Sequence, residues 1–327
     1  MKRIEIAKKI GELKKKHGLY VLDLLREEEV LMYWRSLGVK YGLPIDALNE
    51  IVRSLLKLSR SVQIKIQSGL GLKEKAICMV GYGAMSSTLS QAFINEGYKI
   101  IITGRDVEKA HEVAKKLGVA SGSIEEALTQ CDVAILAIPT QAFLEGYVDT
   151  IAGFLKGKIV MDILSTKAAV FKRVEDLSER HNFNYVSTHP LFGPYTPPRG
   201  ERIVLIPSKT GFAVIDYVQD LWKSIGVEPV MSTLEEHEKA MAIIQVLTHF
   251  MLFTYRDAVK SMAEELGIDV EKFATATYRD VRAVVARLEK IKSVVREIEM
   301  QNPYSHYVKT SLAAFLKERV SIDAKGD

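Results

Sequence analysis

Apolar and polar positions change their spacing along the chain. Up to residue 68 the period is helical. Ile4, Ile6, Ile10 and Leu13, with Lys and Glu between them, predict a first helix that Gly18 closes. Asp23 is placed to cap a second helix running through Glu27 to Leu37 and ended by Gly38. Pro44 opens a third, with Leu48, Ile51, Val52, Leu55, Leu56 and Leu58 as its apolar positions. Gly69-Leu70-Gly71-Leu72-Lys73 reads as a short linker. From Lys75 the pattern becomes short, continuously apolar runs: 76–80, 99–103, 133–137, 159–161 and 185–187, with helical patterns between them, the first ending at Glu96. Such alternation predicts a doubly wound, mainly parallel sheet, to which 203–206 and 227–230 add outer strands. From Ser232 the pattern is helical again. Residues 235–260 form one long candidate helix whose apolar surface needs burial, which predicts a homodimer.

Composition narrows the class. The 327 residues suffice for two or three domains, and 47% hydrophobic with 26% charged residues is ordinary for a globular protein. The 45 basic and 41 acidic residues nearly balance, which argues against nucleic acid as a partner, and Lys14-Lys15-Lys16 reads as a solvated helix face. No apolar run reaches the length of a membrane span and no signal-peptide core is visible. Cys78 and Cys131 lie in apolar runs without disulfide or zinc spacing, so no metal is expected and a cytoplasmic location is.

Candidate chemistry begins at Gly81-Tyr82-Gly83-Ala84-Met85-Ser86, which follows a strand pattern and precedes a helix. Glycines there allow a tight turn and close approach of backbone to a pyrophosphate, and the helix start offers free N–H groups. The third fingerprint position is Ser86, small enough to keep helix–strand packing. A Rossmann-type dinucleotide domain follows, with Gly81, Tyr82, Gly83, Ala84 and Met85 at the cofactor. At the end of the second strand stand Thr103-Gly104-Arg105-Asp106. In one reading Arg105 faces a 2′-phosphate, Thr103 donates to it and Asp106 caps the next helix, which favours NADP. In the other Arg105 is solvated and Asp106 turns inward to bind NAD.

Two further segments draw attention. Asp162-Ile163-Leu164-Ser165-Thr166-Lys167 lies at the carboxyl end of a strand, where open α/β sheets bind ligands; Ser165 and Lys167 either face the nicotinamide or merely begin a helix. In Thr188-His189-Pro190-Leu191-Phe192-Gly193-Pro194, an imidazole stands just past the run 185–187, and two prolines and a glycine stop the backbone from continuing. His189 reads as a base facing the nicotinamide, or as a His capping a strand.

Together these segments resemble prephenate dehydrogenase over residues 75–320. The resemblance rests on the glycine turn, Asp162-x-x-Ser165-x-Lys167 and the His189 loop. It continues through Glu236-His237-Glu238-Lys239-Ala240-Met241-Ala242, Gln245, His249-Phe250 and Ala276-Thr277-Tyr278-Arg279. The Phe-Gly-Pro form of the histidine loop resembles the branch fused to chorismate mutase. Arg3, Lys14, Asp23, Arg26, Glu27, Ser59 and Gln63 fall at the spacing of the all-helical mutase site. The resemblance therefore implies a bifunctional enzyme of tyrosine biosynthesis: a helical mutase-like domain at 1–72, an NAD(P)-binding domain at 73–231 and a helical substrate-binding and dimerisation domain at 232–327. Met1 stands two residues before Arg3, where the family's first helix is longer and carries an arginine into the partner's site. The expectation is a start upstream or an incomplete mutase dimer.

The implied roles follow. His189 accepts the hydrogen bond or proton of the substrate 4-hydroxyl, Ser165 binds that hydroxyl and the nicotinamide, and Arg279 takes a substrate carboxylate unless it pairs with Asp280 or a glutamate. His249 contacts the substrate or supports residues that do, and His237 belongs either to the substrate pocket or to tyrosine feedback. In the mutase segment Lys14 and Gln63 donate to the breaking ether, and Glu27 takes the ring hydroxyl. Arg3 and Arg26 pair with carboxylates, and Asp23 and Ser59 support. The substrates are prephenate and chorismate, with tyrosine as inhibitor. The competing readings are an arogenate dehydrogenase, another NADP-dependent hydroxy-acid or imine dehydrogenase, and an N-terminal segment kept only for binding or dimerisation.

Overall fold

The computed structural model describes residues 2–68 and 75–323, so the linker at 69–73 lies outside the described residues. The chain divides into two compact units: Met1–Leu164 with Lys172–Ser232, and Ser165–Phe171 with Thr233–Asp327.

The first unit opens with three helices, α1 (Lys2–Lys16), α2 (Leu24–Tyr41) and α3 (Ile45–Gln67). Gly18 ends α1 with a positive φ, as the sequence indicates. The face that α1 buries differs from the expected stripe. Ile6, Ile10 and Leu13 are exposed, and the buried residues are Ala7 and Gly11. A Cβ on Gly11 would come within 2.9 Å of the Gln63 backbone, so small residues let α1 lie directly on α3. Asp23 caps α2 by accepting the Arg26 N–H at 3.0 Å. The helix does not stop at Gly38 but runs to Tyr41, with left-handed Gly42 as its cap. Gly38 is a contact point instead: a side chain there would strike Ile45 and Leu48 of α3.

The rest of this unit is an eight-stranded sheet in the order β3-β2-β1-β4-β5-β6-β7-β8. Its strands are β1 (Ala76–Val80), β2 (Lys99–Thr103), β3 (Ala120–Ser121), β4 (Val133–Leu136), β5 (Ile159–Asp162), β6 (Asn184–Pro190), β7 (Arg202–Pro207) and β8 (Glu228–Met231). All neighbours are parallel except β6 and β7. Both faces are covered, which is why β1, β4 and β5 read as continuous apolar runs. On one face Ile77, Met79, Ile135 and Met161 pack against helix α4 (Ala84–Asn95) through Leu89 and Phe93, and against 215–224 through Leu221 and Trp222. Burying each large side chain such as Trp222 contributes roughly 1.5–3 kcal/mol. Helix α3 is fastened to this domain: Ser68 Oγ donates to the Asp220 carbonyl at 3.2 Å, and Lys65 pairs with Glu96 at 2.5 Å.

Strand β6 is longer than its apolar run predicts. It continues through Thr188, His189 and Pro190, which pair with Leu205, Val204 and Ile203. Proline is tolerated because it is the last strand residue, and the next N–H, of Leu191, donates to the Arg202 carbonyl at 3.0 Å.

The second unit is helical. The expected long helix is present as 234–241, a π turn at 242–246 and 247–265. Its core is Ala242, Val246, Ile298 and Val308, while Ile243, Ile244 and Met251 remain exposed and no residue of 247–265 is buried. Among the described residues no helix is long and apolar enough to cross a membrane.

Candidate functional site

The glycine turn sits where the sheet order reverses, between β1 and β4, the usual ligand crevice of such sheets. Gly81 has φ +128°, and a side chain there would collide with the Ala137 carbonyl. Its N–H donates to the Thr103 carbonyl at 2.7 Å. Ser86, the non-glycine third position, is fully buried and donates from Oγ to the Gly81 carbonyl at 2.7 Å. Gly83 is different: a Cβ there would meet nothing within 4 Å among the described residues. It is the N-cap of α4 without a side-chain cap, so the helix presents its first N–H groups and their dipole to open space. This arrangement fits a pyrophosphate.

Thr103 is a correction. It is buried, and its hydroxyl donates to the Gly122 carbonyl at 2.8 Å, so it is no donor for a 2′-phosphate. Arg105 is exposed, 5.1 Å from the Tyr147 ring centroid and 3.8 Å from a Glu145 oxygen. Asp106 caps the next helix, accepting the Lys109 N–H at 3.1 Å. The Lys109 backbone N–H, then its side chain, hold the Asp106 carboxyl below its ordinary range. The inward-turned Asp106 of the NAD reading is therefore not the conformation seen.

His189 is 3% exposed near the end of β6. The loop after it returns to the nucleotide turn. Thr88 of α4 donates its hydroxyl to the Pro194 carbonyl, and Phe192 packs on the same core as Tyr82 and Met85. Below the loop, Asp162 is fully buried. It accepts the Tyr185 hydroxyl at 2.7 Å and the Leu164 N–H at 2.9 Å. Burial, then the Asp162 charge, push the Tyr185 hydroxyl far above its ordinary pKa, so it stays a donor.

Ser165, His237, His249 and Arg279 belong to the second unit. There a buried carboxylate that the sequence reading gave no role, Glu238, accepts the Lys167 N–H at 2.9 Å and Asn302 Nδ2 at 3.1 Å. His237, also buried, places Nδ1 3.4 Å from the same carboxylate. Thr166 donates to Gln301 Oε1 at 2.8 Å. These bonds hold the short segment carrying half-buried Ser165 against the C-terminal helices. Lys167 is fully buried rather than presenting its charge at a surface. Glu238 stands in the charged run Glu235-Glu236-His237-Glu238-Lys239, so apart from its place in the segment that resembles the family, no local pattern singles it out.

His249 is half-buried, and among the described residues its Nδ1 has no hydrogen-bond partner, nor does the Oε1 atom of Gln245 one turn earlier. Burial lowers the pKa of His249, against a smaller opposing effect of Glu299, and favours the neutral ring. Arg279 is exposed in helix 276–289 and donates to the Ala274 carbonyl at 2.7 Å; the acid beside it, Glu271, pairs with Arg282 instead.

In the N-terminal helices the polar set is partly assembled. Arg3 Nε donates to Ser59 Oγ at 3.0 Å, and Lys14 Nζ to the Val21 carbonyl at 2.6 Å. Both Glu27 oxygens accept from Arg60 Nη1 at 2.9 Å, a partner that sequence reading missed. Gln63 is buried, and its Oε1 has no partner among the described residues. Arg26 points away, to exposed Glu29 at 2.7 Å, and Asp23 serves as a cap.

Residues 89–231 match the prephenate dehydrogenase nucleotide-binding domain, and residues 233–324 its dimerization domain. The chain belongs to the prephenate dehydrogenase family. Residues 1–64 match chorismate mutase type II. The glycine turn at 81–86 precedes the matched stretch, so it rests on its own geometry. The "Probable arogenate/prephenate dehydrogenase" of Methanocaldococcus jannaschii is 30% identical over 218 residues, 64% of this chain and 45% of that protein. The T-protein of Haemophilus influenzae is 24% identical over 264 residues, 77% of this chain and 63% of that protein. The chain thus spans less than two thirds of either relative. Among solved structures, prephenate dehydrogenase from A. aeolicus, in complex with hydroxyphenyl propionate and NAD+, has the same fold. Its TM-score is 0.62 at 20% identity, covering 79% of this chain and 93% of that one.

Proposed function

We propose that the chain oxidatively decarboxylates prephenate to 4-hydroxyphenylpyruvate, and that its N-terminal helices rearrange chorismate to prephenate. The observation that carries the first activity is the position of His189, on a strand whose following loop is tied to the nucleotide-turn helix through Thr88 and Pro194. Three working segments follow: 1–72 for the mutase, 73–231 for the cofactor and 232–327 for substrate and dimerisation.

Gly81–Met85 would hold the pyrophosphate of a nicotinamide cofactor, which when bound would supply the acceptor for the hydride from C4 of the substrate. The chain's own residues do the rest. His189 accepts the hydrogen bond of the 4-hydroxyl as positive charge builds at C4, which is worth roughly 10²–10⁴-fold for a general base. The proton returns to the phenol oxygen as the C1–carboxylate bond breaks, CO2 leaves and its electron pair enters the ring. Ser165 orients the same hydroxyl and Arg279 takes a carboxylate through its planar fork. His249, kept neutral, and His237 help shape the pocket. Exposed Arg105 and the capping role of Asp106 support NADP over NAD. The uncovered apolar face at Ile243, Ile244 and Met251 supports a homodimer. Two buried free thiols support a cytoplasmic setting, and inhibition by tyrosine, whose ring matches the product's, belongs to this reading.

For the rearrangement, orientation and charge suffice. Lys14 and Gln63 would donate to the ether oxygen, Arg3 and Arg26 would meet carboxylates, and Glu27, freed from Arg60, would take the ring hydroxyl. Asp23 and Ser59 would hold the frame.

The test is to supply prephenate or arogenate with NADP or NAD and follow nicotinamide reduction and CO2. One CO2 per reduced cofactor with prephenate is expected. Turnover of arogenate alone would replace the substrate, and no CO2 with either would reject the reading.

A further inference from the structure

A charged side chain of the sheet domain reaches the pocket of the N-terminal helices. A cleft of about 410 Å³ is lined by Lys14, Tyr20, Leu22, Asp23 and Leu25, and also by Arg202, the first residue of β7. Its volume lies within the range of small-molecule sites.

Arg202 is held from behind. Its Nε donates to Glu228 Oε2 at 2.9 Å, and Glu228 also accepts the N–H groups of Val21 and of Leu22, the latter at 3.4 Å. The carboxylate of β8 therefore fixes both the guanidinium and the α1–α2 loop. The Tyr20 ring lies 5.4 Å from the guanidinium carbon. The two terminal nitrogens of Arg202 have no hydrogen-bond partner among the described residues, and the side chain is 30% exposed. Lys14 reaches the same loop from the other side, donating to the Val21 carbonyl and keeping two ammonium protons. The one acid in the lining, Asp23, is occupied as the cap of α2. The cleft thus offers a guanidinium fork, an ammonium and leucine side chains, which suits a small dicarboxylate with an apolar ring.

We infer that Arg202 binds a carboxylate of the mutase substrate, so that the mutase site is completed by the dehydrogenase domain. The inference rests on reading the helices as a chorismate mutase. A latch for the loop would need only the Nε–Glu228 bond; the free outer edge of the fork is what a ligand adds. Arg202 lies two residues along β7 from Val204, the strand partner of His189, so the two sites share one strand pair.

The test is steady-state chorismate turnover by the intact chain and by Arg202→Gln. Loss of a charged, hydrogen-bonded contact should raise KM about 10- to 100-fold, with kcat within about threefold. The rise of KM with added salt should also become shallower, which a loosened loop would not cause. Thermal unfolding monitors the fold. If Arg202→Gln fails to fold, Arg202→Lys serves: it keeps the charge but not the fork, and KM should rise about three- to tenfold. A wild-type KM and salt dependence in the folded variant, or a fall in kcat alone, overturns the inference while leaving the mutase reading intact. A wild-type chain that neither turns over nor binds chorismate removes both.

Discussion

The glycine turn and the N-terminal helices carry comparable numbers of candidate residues but hold them differently. In the turn, the first and last residues are fixed through backbone groups. Gly81 takes a conformation only glycine tolerates, and Ser86 is buried on the Gly81 carbonyl. In the helices, side chains hold one another: Arg3 with Ser59, and Glu27 with Arg60. A backbone-built site is rigid before its ligand arrives. A site of paired side chains must exchange those pairs for ligand, and the exchange lowers affinity unless something outside the pair holds the geometry. Glu228, reaching from the sheet to the α1–α2 loop, is such an outside hold.

This comparison can be broken by substitution. The largest effect is expected at Gly81→Ala, where strain and the Ala137 clash should cost about 2–4 kcal/mol, seen as a lower unfolding temperature. Gly83→Ala sharpens the point: with empty space at its Cβ it should fold normally, yet bind the cofactor about tenfold more weakly by calorimetry. Equal loss of stability at both positions would mean that the turn is structural only.

In the helices the expected effect is smaller. Glu27→Gln leaves Arg60, whose side chain is 12% exposed, without its ion partner, and should cost about 1–2 kcal/mol in thermal unfolding while lowering chorismate turnover. Unchanged turnover would make the pair purely structural.

The smallest effect is a pH slope. Burial lowers the folded pKa of His249 below its ordinary 6.5, so the unfolded chain binds the proton more readily. Stability contributed by neutral His249 is present above about 6.5 and is lost as pH falls through the window down to the depressed folded value. His249→Asn should flatten that part of a denaturation-versus-pH curve. A slope identical to wild type would show that another group titrates there.

How much of this was legible in the sequence follows the same division. The sheet was readable because both its faces are covered, which makes strands such as 76–80 uniformly apolar, and because Gly81 and Asp106 have local backbone roles. His189 was found, but its place inside β6 was not, since Pro190 hides the end of a strand whose last residues are held by pairing with β7 across the loop 191–201. In the helices the apolar stripe misled: Ala7 and Gly11 are buried because small residues allow close approach, whereas Ile6 and Leu13 face outward. Glu238, Arg60 and Arg202 act through partners distant along the chain, and no local spacing points to them.

The account stands most directly on His189. Single-turnover nicotinamide reduction by His189→Asn, with prephenate and cofactor saturating, isolates hydride transfer from binding. The predicted result is a rate about 10²–10⁴-fold below wild type with prephenate affinity retained. A wild-type rate in the folded variant would contradict the assignment of His189 as the group that polarises the 4-hydroxyl.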